Sequence, residues 1–162
     1  MKKAILSLLL TTIIFTFGCT KTAEPQPPQT NFTATITYDD EKYSVTHNGK
    51  SITSITITKP TDLNGLTYNY KGSELTLNYK SLSYIPSASS LPVANSVTIL
   101  HNLLCELSSE SFAAKFSVKS TDSDITVYES ETAEITCETT TGNINQIRLK
   151  NNGKSYKFSN YS

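Results

Sequence analysis

From Asn31 onward apolar and polar residues alternate with a period of two, a pattern that half-buried β-strands satisfy and helices do not. Phe32, Ala34, Ile36 and Tyr38 share one phase, and Tyr43, Val45 and His47 the next. The spacing returns at Ile55 and Ile57, at Leu66, Tyr68 and Tyr70, at Leu75, Leu77 and Tyr79, and at Leu82 and Tyr84. Successive side chains on a strand point to opposite faces, so each series marks one face turned toward a core. The Thr, Tyr and Ile content suits such a pleated surface. Asn48-Gly49 and Asn152-Gly153 predict hairpin turns, because a type I′ turn needs positive φ at both central residues. Lys71-Gly72-Ser73 and Gly142-Asn143 mark two more reversals.

One stretch departs from alternation. After Ser90-Leu91-Pro92, the residues Val93, Val97, Leu100, Leu104 and Leu107 fall at helical spacing, and Ile99 and Leu103 widen the stripe. Pro92 suits a first helical turn, with Ser89 or Ser90 as its cap. Alternation resumes at Ala114-Phe116-Val118, Ile125-Val127, Ile135-Cys137, Ile147-Leu149 and Tyr156-Phe158. About six strands, one helix and about five strands follow in order. A single helix with so wide an apolar stripe needs a sheet to cover it. The expected fold is α+β and mainly β: a strongly curved antiparallel half-barrel of about eleven strands wrapped around one central helix.

The chain begins differently. Met1-Lys2-Lys3 is followed by an apolar run over residues 4–17 that ends at Gly18-Cys19, the order of a secretory signal peptide. A cysteine directly after a small residue at that point resembles the lipobox of bacterial lipoproteins. The resemblance implies that residues 1–18 are a signal peptide, with diacylglycerol attached to Cys19 as the new N-terminus. Acyl chains contribute about 0.8 kcal/mol per buried CH₂, so two chains anchor stably without a spanning helix. Residues 19–30 then comprise the lipidated Cys19 and a linker carrying Pro25, Pro27 and Pro28, of polyproline II character. The folded domain is expected over 31–162.

Composition narrows the function. Without residues 1–18 the chain keeps 12 basic residues (14 − 2) against 14 acidic ones, a net charge of −2. No basic stretch remains to neutralise a row of phosphates, so no nucleic-acid partner is expected. Cys105 falls off the helical stripe while Cys137 shares the inward phase of Ile135, so two unpaired thiols are expected rather than a disulfide. His101 and Cys105 stand at i, i+4, but two ligands do not make a metal site, and no metal is expected. His47, just before a hairpin turn, reads as a solvated strand end. The triplet Asp39-Asp40-Glu41 reads as an acidic turn without the further oxygens a Ca²⁺ loop needs. No G-x-S-x-G elbow or nucleophile–base pair is apparent, so no catalytic residue is nominated.

The run Thr58-Lys59-Pro60-Thr61-Asp62-Leu63-Asn64-Gly65-Leu66-Thr67-Tyr68, the Lys71-Gly72 hairpin and the closing Asn152-Gly153-Lys154-Ser155-Tyr156-Lys157-Phe158-Ser159-Asn160-Tyr161 carry a resemblance. The domain resembles small lipoproteins of Clostridia-type Firmicutes and, through them, the LolA/LolB lipoprotein-carrier superfamily. That resemblance implies a half-barrel around helical cover, with an apolar concavity that in some relatives holds acyl chains. It also makes Leu63 a candidate membrane-contact residue, since anchored relatives carry an exposed leucine in this loop.

If the concavity holds a ligand, the inward phase supplies its walls: Ile36, Ile57, Leu66, Tyr68, Leu77, Val97 and Leu104. The expected protein is therefore a monomeric, non-enzymatic lipoprotein without cofactor. It sits on the extracytoplasmic face of a bacterial membrane, most simply the cell membrane, and its partners are the bilayer and a lipid or lipidated protein. The competing expectation is an envelope-interaction module with a filled core and no ligand.

Overall fold

The computed structural model describes residues 24–49, 52–86 and 95–162. Eleven strands form one antiparallel, unclosed sheet among these residues. They are β1 (Asn31–Tyr38), β2 (Glu41–Asn48), β3 (Ile52–Lys59), β4 (Thr67–Lys71), β5 (Glu74–Tyr79), β6 (Leu82–Tyr84), β7 (Ser117–Thr121), β8 (Ile125–Glu129), β9 (Ala133–Glu138), β10 (Ile144–Leu149) and β11 (Ser155–Ser159). Their spatial order is β6-β5-β4-β3-β2-β1-β11-β10-β9-β8-β7. Two meanders are thus joined where β1 meets β11, with Ile36 opposite Phe158. The predicted reversals fall at Gly49, Gly72, Gly142 and Gly153, all with positive φ.

Alternation sets the register. Buried residues occupy every second position of β1, from Phe32 to Tyr38, and of β2, at Tyr43, Val45 and His47. On the other side of the seam, Ala133, Ile135 and Cys137 of β9 face the same core as Tyr156 and Phe158 of β11. Where β10 slips register between Ile144 and Gln146, the Tyr161 hydroxyl accepts from the Ile144 N–H at 2.9 Å and donates to the Ile144 carbonyl at 2.8 Å. One side chain thereby stands in for a strand partner, and Tyr161 closes an aromatic cluster with Phe32 and Phe158.

Helix α1 (Ser96–Leu107) runs between the two edge strands in sequence. Val97, Leu100, Leu103, Leu104 and Leu107 are buried, the stripe that periodicity predicts, and Ile99 packs partly against the same core. Its cap corrects the sequence reading: the Asn95 side chain accepts from the Thr98 N–H at 2.7 Å. The proline signal places the start too early, while an Asn three residues before a free N–H satisfies that donor directly. Ser89, Ser90, Leu91, Pro92 and Val93 lie outside the described residues. A second correction concerns Ala114 and Phe116. A short helix α2 (Phe112–Lys115) precedes β7, and the rings of Phe112 and Phe116 stack at 5.0 Å. Three alternating residues are too few to tell a strand from one helical turn.

The segment read as linker is fastened to the domain at its far end. Gln26 N–H donates to the Thr139 carbonyl at 2.9 Å, Gln29 N–H to the Gly142 carbonyl at 2.8 Å, and the Tyr128 hydroxyl to the Gln26 carbonyl at 2.9 Å. Pro28 is buried. A Cβ on Gly142 would lie 2.2 Å from the Pro27 carbonyl oxygen, so no side chain fits at this crossing. Proline's missing N–H excludes a ladder strand, but the intervening glutamines still donate.

Because Leu100 and Leu104 are fully buried in α1, Leu100→Ala or Leu104→Ala should each cost about 2–5 kcal/mol. Exposed Asn102→Ala should cost under about 0.5 kcal/mol. Urea midpoints that coincide for all three variants would show that α1 does not hold the sheet.

Candidate functional site

Hydrogen bonds seat α1 at both ends. At its start the Tyr43 hydroxyl donates to the Glu41 carboxylate and lies 2.8 Å from Ser96 Oγ, whose proton it accepts. The Tyr156 hydroxyl donates to the Ser96 carbonyl at 2.7 Å. Burial pushes both phenols well above their ordinary value, so they stay neutral donors.

At the other end stands His47, which is 2% exposed rather than the solvated strand end that its sequence position suggested. Phase outweighs polarity there, because both ring nitrogens find partners. Ser108 Oγ donates to the Leu104 carbonyl at 3.0 Å and therefore accepts from His47 Nε2 at 2.8 Å. That leaves Nδ1 to accept from the Thr53 hydroxyl at 2.9 Å, so the ring is a neutral Nε2–H tautomer. Burial, and then nearby His101, lowers its pKa to about 4.

His101 stacks on Tyr70 with ring centroids 3.6 Å apart, and its Nε2 lies 3.5 Å from Cys105 Sγ. Burial lowers the imidazole pKa to about 4 and raises that of the Cys105 thiol. The two are held neutral, the opposite of the thiolate–imidazolium state that activates a nucleophile. Among the described residues no group of three or more His, Cys, Asp or Glu side chains converges. Cys105 and Cys137 are free thiols, and burial pushes that of Cys137 up to about 12.

The wall residues expected from the inward phase are brought to one core, but as filling. Ile36, Ile57, Val97 and Leu104 are buried, and Leu66, Tyr68 and Leu77 pack partly buried against them. None of the seven lines the open space described next. Leu63 ends a 3-10 turn (Thr61–Leu63) and is 43% exposed, apart from the core. Cys19 lies outside the described residues.

Open space remains beside α1 instead. A groove of about 580 Å³ runs between the helix and the turns leaving β8 and β10. Ile99, Leu103 and Leu149 supply its apolar surface, and Asn102, Glu106, Glu131 and Lys150 its polar edge. A second hollow of about 380 Å³ shares Glu106, Glu131 and Thr132 and continues past Phe116. The two rim lysines are paired, Lys115 with Glu106 at 2.6 Å and Lys150 with Glu129 at 2.5 Å, and Glu131 adds a further carboxylate. Three carboxylates thus face two ammonium groups around an apolar floor. Ile99 and Leu103 were legible as the residues that overfill the helical stripe. The rim carboxylates and Lys150 carried no sequence signal.

The two histidines make stability pH-dependent. Both folded-state pKa values lie below the ordinary 6.5. As pH falls from about 6.5 toward about 4, the unfolded chain binds protons that the folded chain refuses, and stability is lost over that window. His101→Phe should keep the ring stack on Tyr70 while reducing the slope of urea midpoint against pH. A wild-type midpoint that stays flat between pH 6.5 and 4 would contradict the buried neutral rings.

No protein-family model matches the chain, and no curated protein matches it. Among solved structures it is similar to a LolA superfamily protein from Nitrosomonas europaea, at 12% identity over 88% of this chain and 90% of that one, with a TM-score of 0.39.

Proposed function

We propose that this chain is a lipid-anchored, extracytoplasmic binding module. Diacylglycerol on Cys19 holds it to the membrane, and the groove beside α1 takes the apolar chain of a lipid or of a lipidated partner. It works without cofactor or covalent chemistry on its ligand, as a monomer on the outer face of the cell membrane. The observation that carries this reading is the groove itself: about 580 Å³, within the usual range for small-molecule sites, with an apolar floor and a rim whose two lysines are ion-paired. The sequence order of basic start, apolar run and Gly18-Cys19 supports the anchor.

A half-barrel curled toward the helix belongs to the same reading. Ser96 is bonded to β2 and β11, and His101 stacks on β4. Four strand spacings separate β4 from β11, about 19 Å in a flat sheet, against a helix about 10–12 Å across. Curvature brings both within reach of one helix.

The filled interior favours the alternative of an envelope-interaction module without ligand, and titration separates the two. A fluorescent fatty acid added to the soluble domain should bind with micromolar affinity, about −8 kcal/mol. Ile99→Trp should weaken it at least about tenfold by filling the groove, without lowering the melting temperature. An absence of saturable binding would leave the ligand-free module standing.

The anchor is tested separately. Cys19→Ala should move the protein from the membrane fraction to unprocessed or secreted material. Unchanged detergent partitioning and N-terminal mass would remove the lipoprotein reading.

A further inference from the structure

The strap formed by residues 26–30 is bonded to one end of the sheet. Its partners Thr139 and Gly142 lie in the β9–β10 turn, and the Thr30 carbonyl accepts from the Gly49 N–H at the β2–β3 turn. The groove opens at the opposite end, where residues 130–132 link β8 to β9 and Lys150 and Asn151 leave β10. The 3-10 turn bearing Leu63 is at that opposite end too, between β3 and β4. Between the two ends lies roughly the length of β1, eight residues or about 23 Å.

We propose that the strap orients the anchored domain, with the β9–β10 turn toward the bilayer and the groove and Leu63 turned away from it. The groove then receives its ligand from the aqueous side and not from the lipids beneath it. This rests on the reading of Cys19 as the anchor.

Tether length carries the argument. Six residues, Thr20 to Pro25, separate Cys19 from Gln26. Seven virtual bonds reach about 25 Å at full extension. Turning the groove end to the bilayer would raise the strap by about one strand length and stretch the tether almost straight. Keeping the strap end down needs no stretching. The strap is not free to lengthen the tether, because Gln26 and Gln29 donate to the sheet and Pro28 is buried. Gly142 admits the Pro27 carbonyl only for want of a side chain.

The test uses the full-length acylated protein in phosphatidylcholine vesicles containing a headgroup-labelled acceptor lipid. A donor dye is attached through Ser123→Cys in the β7–β8 turn, at the strap end, or through Asn64→Cys beside Leu63, each on a Cys105→Ser background. Both positions are exposed. Energy transfer should be greater from position 123 than from position 64. That difference should be lost when twelve Gly/Ser residues are inserted between Lys21 and Thr22, which lengthens the tether without touching the folded domain. It should also be lost in Gly142→Val, which forces the strap off its crossing. Equal transfer from the two positions, or greater transfer from position 64, would overturn the orientation while leaving the anchor intact. A mass spectrum without diacylglycerol on Cys19 would overturn the anchor, and the orientation with it.

Discussion

Among the described residues, the buried face of an eleven-stranded sheet meets one long helix, α1, of twelve residues. Everything else follows from how that helix is spent. Val97, Leu100, Leu103, Leu104 and Leu107 leave little of its circumference for solvent, and Leu100 and Leu104 are fully buried. Ile36, Ile57 and Tyr43 are buried in the same core. Open space lies at the margin, between α1 and the turns after β8 and β10, where Ile99 and Leu149 line the groove.

The interface between helix and sheet is apolar at its centre and polar at its ends. Ser96 and Ser108 are tied to Tyr43, Tyr156 and His47 by hydrogen bonds of 2.7–2.8 Å. Hydrophobic contact alone tolerates sliding, since its energy changes little with small displacements. Directional bonds at both ends fix the position of the helix along the strands, and with it the width of the groove. Protonating His47 removes the Nδ1 acceptor on which Thr53 depends, so the seat and the fold respond to the same titration.

The sheet was legible in the sequence because its signal is repetitive and sterically strict. Phe32 to Tyr38 alternate so cleanly that the inward face could be read, and the reversals at Gly49, Gly72, Gly142 and Gly153 were marked by residue type. What escaped depended on partners distant in sequence. His47 looked like a strand end because its ring is satisfied by Ser108, 61 residues away. The strap looked like a linker because its proline content is that of a linker, and only Thr139, Tyr128 and Gly142 make it part of the domain. Alternation could say that Ile36 faces inward, and helical spacing that Leu104 does. Whether inward meant a pocket wall or solid core was decided by the bulk of α1, which alternation does not measure.

A sheet that does not close has two strands whose outer hydrogen-bonding groups lack a neighbour, and such rows invite pairing with another molecule. Here each row is cut short by a different device. β6 is only three residues long and runs into Pro86, so although Leu82 and Ile85 are 71% and 75% exposed, few successive donors are offered. β7 changes register between Val118 and Ser120, which twists its edge out of line, and Lys119 projects there toward Glu134 at 2.5 Å. An incoming strand would find no straight ladder on either side and, on one of them, a charge to desolvate. At the two margins the sheet thus offers little template along which β-structure could propagate from one molecule to the next.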